Sequence, residues 1–227
     1  MDHPPPAPSP RADSGLWVLV LLLALTLLPE LLLQLADAGL LGPRFLRRLA
    51  YLLGAFQPDL HAGPGPFFPF QTLTMFFTYG FLHTGLLHLA INAAGLWVLG
   101  RLILARRQPG TFVLLYLMSM IGAAEAFALL GPAGDTMVGA SGALFGLLGV
   151  YAADAGFFTP QSPQGEPAPP QIARLVGATL ALVLCDVLSQ LALGSPVAWQ
   201  AHAGGFVTGA VLALITPPRT GQAAPKH

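Results

Sequence analysis

The sequence predicts an all-α, polytopic membrane protein with six spanning helices, and three observations carry that expectation. Hydrophobic residues make up 54% of the 227 positions and charged residues only 9%, whereas a soluble domain carries about 25% charged residues. The mean hydropathy is +0.67. Apolar stretches approaching the ~20 residues that a helix needs to cross a bilayer recur along the whole chain. The formal net charge is zero, so nothing favours a nucleic-acid partner. The one cysteine, Cys185, excludes an intrachain disulfide and reads as a small packing residue.

The spans are expected at Leu16–Ala36, Thr78–Leu104, Thr111–Leu130, Ser141–Phe158, Ile172–Leu193 and Trp199–Thr216. They form one membrane domain, 15–217, between short tails at 1–14 and 218–227. Met1–Ser14 is proline-rich, with neither the basic start of a secretory signal nor the character of a transit peptide, and is expected to be a disordered tail. Pro29 and Glu30 interrupt the first span, where a kink is expected. Asp37 to Phe70 is amphipathic and rich in Leu, Phe, Pro and Gly, as befits a structure lying at the membrane interface. Thr159–Pro170 is a polar, proline-rich linker.

Orientation follows from Lys and Arg. With the N-terminus inside, the inner segments hold Arg11, Arg101, Arg106, Arg107, Arg174, Arg219 and Lys226, which matches the preference of short loops for positive charge on the cytoplasmic side. Arg44, Arg47 and Arg48 are the exception, and an interfacial helix would carry them at the headgroups. In this topology spans two, four and six run from outside to inside. His88, Ser141 and His202 lie near the outer ends of those spans and converge on one shallow layer. From Pro196 to His202 is about 9 Å of helix at ~1.5 Å per residue.

Each of these groups has a plain packing role as well as a chemical one. A serine in a membrane helix commonly bonds back to a carbonyl or allows close packing. Ser141, however, follows the helix-breaking run Gly131–Thr136, so it stands at a helix N-terminus where free N–H groups favour a developing negative charge. Gly142 and Gly146 make a small-xxx-small pair that admits a second backbone. The G-x-S-x-G elbow of soluble hydrolases is absent, with Ala143 in place of the last glycine. A serine hydroxyl needs a base, and His202 is the candidate. On its helix Ala201, Gly205, Gly209 and Ala213 recur every four residues as a smooth ridge. If that ridge meets the Gly142/Gly146 face, serine and histidine come within hydrogen-bond reach. His88 and Asn92, at i and i+4, share one face of span two, and Asn92 offers amide donors of the kind an oxyanion hole requires. Interhelical hydrogen bonding is the blander role for that pair. His83 is expected to buttress the outer loop. Glu125 and Asp186, inside apolar spans, are expected to be interhelical partners or to line a water cavity. No carboxylate is evidently placed to orient His202.

His88-xxx-Asn92, Gly139-Ala140-Ser141-Gly142 and Ala201-His202-Ala203-Gly204-Gly205-xxx-Gly209, in that order on spans two, four and six, resemble the rhomboid intramembrane serine proteases. The resemblance covers about Phe81 to Ile215 and implies a rhomboid-like six-helix bundle with a long interfacial first outer loop. It implies Ser141 as nucleophile, His202 as general base, and Asn92, His88 and the Ser141 backbone N–H as an oxyanion hole. Gly139, Gly142, Gly146, Gly205, Gly209, Phe145 and His83 would support the site. The sequence departs from the family where a tyrosine often follows the serine by four residues; here Phe145 stands, able to stack on His202 without a hydroxyl. The usual aromatic–arginine pair of the first loop has no match near Phe70-Gln71, and the glutamate often ending span two has none around Leu104.

The expected activity is that of a serine endopeptidase acting in or near transmembrane segments through an acyl-enzyme, with membrane proteins as substrates and the lipid bilayer as surroundings. The resemblance favours a small residue at the cut and a helix-weakening segment nearby. Gly194–Ala198 is a candidate mobile cap. No metal or organic cofactor is implied, the oligomeric state is open, and a bacterial inner membrane with cytoplasmic termini is the expected location. Two other classes stay open: a non-catalytic rhomboid-like protein that binds membrane clients, and a transporter with His88, Asn92, Asp186 and Glu125 along a pore.

Overall fold

Seven helices and two short 3-10 turns account for nearly all of the regular structure in the computed structural model, which describes residues 15–61, 65–157, 198–216 and 218, with scattered helical positions from 173 to 187. The tails, the 159–170 linker, Cys185, Asp186 and residues 194–197 of the candidate cap lie outside the described residues. The helices are α1 (Leu16–Asp37), α2 (Leu46–Gly54), α3 (Gln71–Thr78), α4 (Leu86–Leu104), α5 (Pro109–Leu130), α6 (Ser141–Asp154) and α7 (Trp199–Ile215). No strand occurs among the described residues; Phe56 and Met137 form an isolated antiparallel bridge.

By length and composition α1, α4 and α5 suffice to cross a membrane, while α6 and α7 are apolar but shorter. Outward-facing Leu21, Leu25, Leu28 and Leu32 clothe α1 in hydrocarbon, as a helix surrounded by lipid requires. α1 is continuous and carries Pro29 and Glu30 within it. The second span begins later than expected, because 71–85 folds as α3, a turn at Tyr79–Phe81 and an extended link.

α6 occupies the centre. All residues from Gly142 to Ala153 are buried, with α4, α5 and α7 packed around it. Its 14 residues rise only about 21 Å, against roughly 30 Å of hydrocarbon. The non-helical run before it therefore enters the protein, and two sets of main-chain bonds hold it there. Phe56 and Met137 exchange N–H···O bonds of 3.0 and 2.9 Å, and Gly139 N–H donates to the Tyr79 carbonyl at 2.9 Å. Phe56 itself is buried among Phe76, Tyr79 and Phe127. Gln71, fully buried, anchors the rest of the first loop, donating to the Leu52 carbonyl at 2.8 Å and accepting from Phe67 N–H at 2.7 Å. The loop that lacks an aromatic–arginine pair is thus held by a neutral amide.

Of the three loop arginines, Arg44 and Arg48 are exposed as expected at an interface, but Arg47 is not a headgroup residue. It turns inward to Glu30 and Asp37 of α1, at 2.9 and 2.6 Å. A second ionic cluster closes the opposite end of the bundle. Arg107, just before α5, forks onto both carboxylate oxygens of Asp154 at 3.0 and 2.5 Å, and also bonds the Ala213 carbonyl and the Thr216 carbonyl and hydroxyl. The side chains of the ion pair are 1% and 2% exposed. These bonds satisfy carbonyls at the C-terminal end of α7, where a helix leaves acceptors unpaired. Removing one member of a buried pair strands the other charge, a penalty of about 3–5 kcal/mol. Asp154→Ala is therefore expected to lower stability by that order, read as a drop in the thermal midpoint in detergent. Replacing the exposed Arg48 by Ala should leave the midpoint unchanged.

Candidate active site

Among the described residues α6 packs most extensively against α7, and glycine lets their backbones touch. A Cβ on Gly205 would overlap the Gly142 carbonyl, and one on Gly209 the Gly146 carbonyl. The contact of α6 with α5 is equally tight: a Cβ on Gly142 would lie 2.6 Å from Ala123 Cβ, and one on Gly146 would overlap Ser119. Backbone thus lies on backbone over about one and a half turns. Side chains at the outer end of this seam are brought together as a consequence.

There, Ser141 opens α6 and His202 lies in the first turn of α7. Ser141 Oγ and His202 Nε2 are 3.0 Å apart. Phe145, one turn below the serine, lies parallel to the imidazole with centroids 4.3 Å apart and planes 15° apart. A hydroxyl is not needed for that contact, since the ring face does the holding. His202 is 8% exposed and Ser141 half-buried, so the hydroxyl lies on the accessible side of the pair.

His88 and Asn92 lie one turn apart on α4. Asn92 is buried and its amide nitrogen donates to the His88 carbonyl at 2.8 Å, leaving a second N–H. Nδ1 of His88 is 3.1 Å from the Thr84 hydroxyl. If that nitrogen accepts, Nε2 carries the proton and is the ring's donor. The ring lies against Gly139, where a Cβ would come 2.6 Å from His88 Cε1 and 2.9 Å from Nε2. Gly139 also has φ +120°, a conformation that side chains disfavour, so its glycine is required twice over. Two residues later comes Ser141, whose backbone N–H is one of the unpaired donors of a helix start.

His83 is buried and meets His88 edge-on, centroids 5.0 Å apart. Burial, with His88 alongside, pushes its imidazole down to about 3, which keeps it neutral at physiological pH. Glu125 is exposed on α5, which speaks against the interhelical role of the two expected for it. The ionic partners Glu30, Asp37 and Arg47 were not evident as a set, although a glutamate beside Pro29 in an apolar span was a signal.

An all-helical membrane bundle with a serine hydroxyl and an imidazole in contact at the start of its central helix defines the class of protein. The rhomboid domain family model matches residues 71–219, and the chain belongs to the rhomboid family. That family comprises intramembrane serine proteases that act on membrane proteins within the bilayer. No match was found among curated proteins.

The packing seam makes a direct prediction. Gly205→Ala drives a methyl into the Gly142 carbonyl and should destabilise the protein by about 1–3 kcal/mol, the usual range for overpacking. Gly110→Ala, with no atom within 4 Å of its new Cβ, should be neutral. Thermal unfolding of the two variants in detergent distinguishes them.

Proposed function

We propose that this chain is a catalytically active serine endopeptidase that cuts peptide bonds in or beside transmembrane segments. The 3.0 Å contact between Ser141 Oγ and His202 Nε2 carries the reading. For Ser141 to act as nucleophile, His202 takes the hydroxyl proton on Nε2 as Oγ attacks the scissile carbonyl. The tetrahedral oxyanion is stabilised by the Ser141 backbone N–H, the free Asn92 amide hydrogen and Nε2–H of His88. His202 then gives the proton to the leaving amine, and the C–N bond breaks to leave an acyl-enzyme. Water attacks that ester with His202 again as base, which restores the serine. Phe145 limits tumbling of the imidazole by covering one face, so that a two-residue dyad has a fixed base.

A substrate helix must unwind locally to bring a carbonyl to Ser141, because its own carbonyls are engaged in the helical hydrogen bonds. The resemblance to the rhomboid proteases implies substrates with a helix-weakening segment and a small residue at the cut. Water reaches the site from the outer face past His88, Asn92 and His202. The Lys and Arg distribution supports cytoplasmic termini, and a bacterial inner membrane is the proposed setting.

The test is cleavage of a transmembrane substrate by purified protein in detergent. Wild type should cleave, while Ser141→Ala and His202→Ala should each fall by about 10^4-fold or to the assay floor. A fluorophosphonate probe should label wild type and not Ser141→Ala. An inert wild type, or equal cleavage by Ser141→Ala, would sink the protease reading and leave a client-binding role.

A further inference from the structure

The outer ionic cluster ends on a main-chain carbonyl beside the active site. Arg47 bonds both oxygens of Glu30, from Nη1 at 2.9 Å and Nη2 at 3.0 Å, and Asp37 from Nε at 2.6 Å. Glu30 is fully buried and further held by Gln34 at 2.7 Å. Burial opposes the charge of Arg47, but its bonds to Glu30, Asp37 and Tyr51 outweigh that and raise its pKa above the usual value. Nη1 also donates to the His83 carbonyl at 3.1 Å. Tyr51, one turn further along α2, donates its hydroxyl to the same carbonyl at 2.6 Å.

Two donors from one face of an interfacial helix thus converge on one oxygen. The residue that carries that oxygen presses its ring on His88, and the next residue, Thr84, bonds His88 Nδ1. His88 in turn lies against Gly139, two residues ahead of Ser141. Stapling α1 to α2 would need only the carboxylates. The additional bonds to the His83 carbonyl fix the main chain that enters α4, and with it the position of His88.

We infer that Arg47, with Tyr51, is a positioning residue that sets His88 against Ser141 by clamping the His83 carbonyl, with Glu30 and Asp37 holding the guanidinium in place. The inference rests on the protease reading above. A planar fork is required, because one group must face two carboxylates and a carbonyl at once; a lysine ammonium can hold Glu30 but not the whole set.

The test compares Arg47→Lys and Tyr51→Phe with wild type and with Arg48→Lys, each assayed well below its own unfolding midpoint. Arg47→Lys should lower kcat about tenfold and Tyr51→Phe about threefold at unchanged KM, with fluorophosphonate labelling of Ser141 slowed in parallel. Arg48→Lys should match wild type. A purely structural role would lower the midpoint and leave kcat per folded molecule intact. That result, or a change in KM alone, overturns the inference while an active wild type preserves the protease reading. An inert wild type removes both.

Discussion

The contact on which the rest of the structure depends is the approach of the α7 backbone to the α6 backbone, glycine against carbonyl at Gly205–Gly142 and again at Gly209–Gly146. In a bilayer there is little hydrophobic gain from joining two apolar helices, since lipid tails are as apolar as leucine. Close approach supplies the missing attraction through dispersion and weak polar contacts, but only where no side chain intervenes. The same nearness sets the reach of the two short side chains at its outer end. A serine hydroxyl and an imidazole cannot meet across an interhelical distance set by leucines. Alanine on α5 and serine at Ser119 continue the tight packing against α6, so the central helix has little room to shift.

Two polar clusters bracket this seam. Arg107 and Asp154 join α5, α6 and α7 at one end; Arg47, Glu30 and Asp37 join α1 and α2 beside the entrance to α4 at the other. Burying charge is expensive, and neither cluster is a strong argument for net stability. Both are directional, however, whereas a smooth glycine ridge tolerates sliding. Their bidentate geometry gives axial register to helices whose apolar faces specify little beyond contact. The inner cluster locks together the ends of the two helices that carry Ser141 and His202.

The proposed hydrolysis needs water at Ser141. The run that leads into α6 carries polar main chain, and Phe56 and Tyr79 bond part of it: Phe56 exchanges two bonds with Met137, and the Tyr79 carbonyl accepts from Gly139 N–H. The first loop is thereby tied to the run that leads into α6 through Phe56, and is held in itself by the amide of Gln71.

The sequence by itself determined the helical membrane class and the glycine spacing that makes Ser141 and His202 able to meet. These are legible because lipid imposes a one-dimensional rule, apolar length, and because glycine periodicity is a local property of one helix. Phe145 could be read as a stacking partner for the same reason, being one turn from the serine. Only the tertiary structure decided that α6 is a short buried rod, that Arg47 turns from the headgroups to Glu30 and Asp37, that Glu125 is exposed, and that His83 and Gly139 hold His88 from two sides. Charge partners 17 residues apart, as Glu30 and Arg47 are, leave no periodic trace, since nothing in either segment indicates how an interfacial helix folds back on a spanning one. That choice is made by the competition between desolvation and pairing, which depends on distances that exist only after the helices have packed.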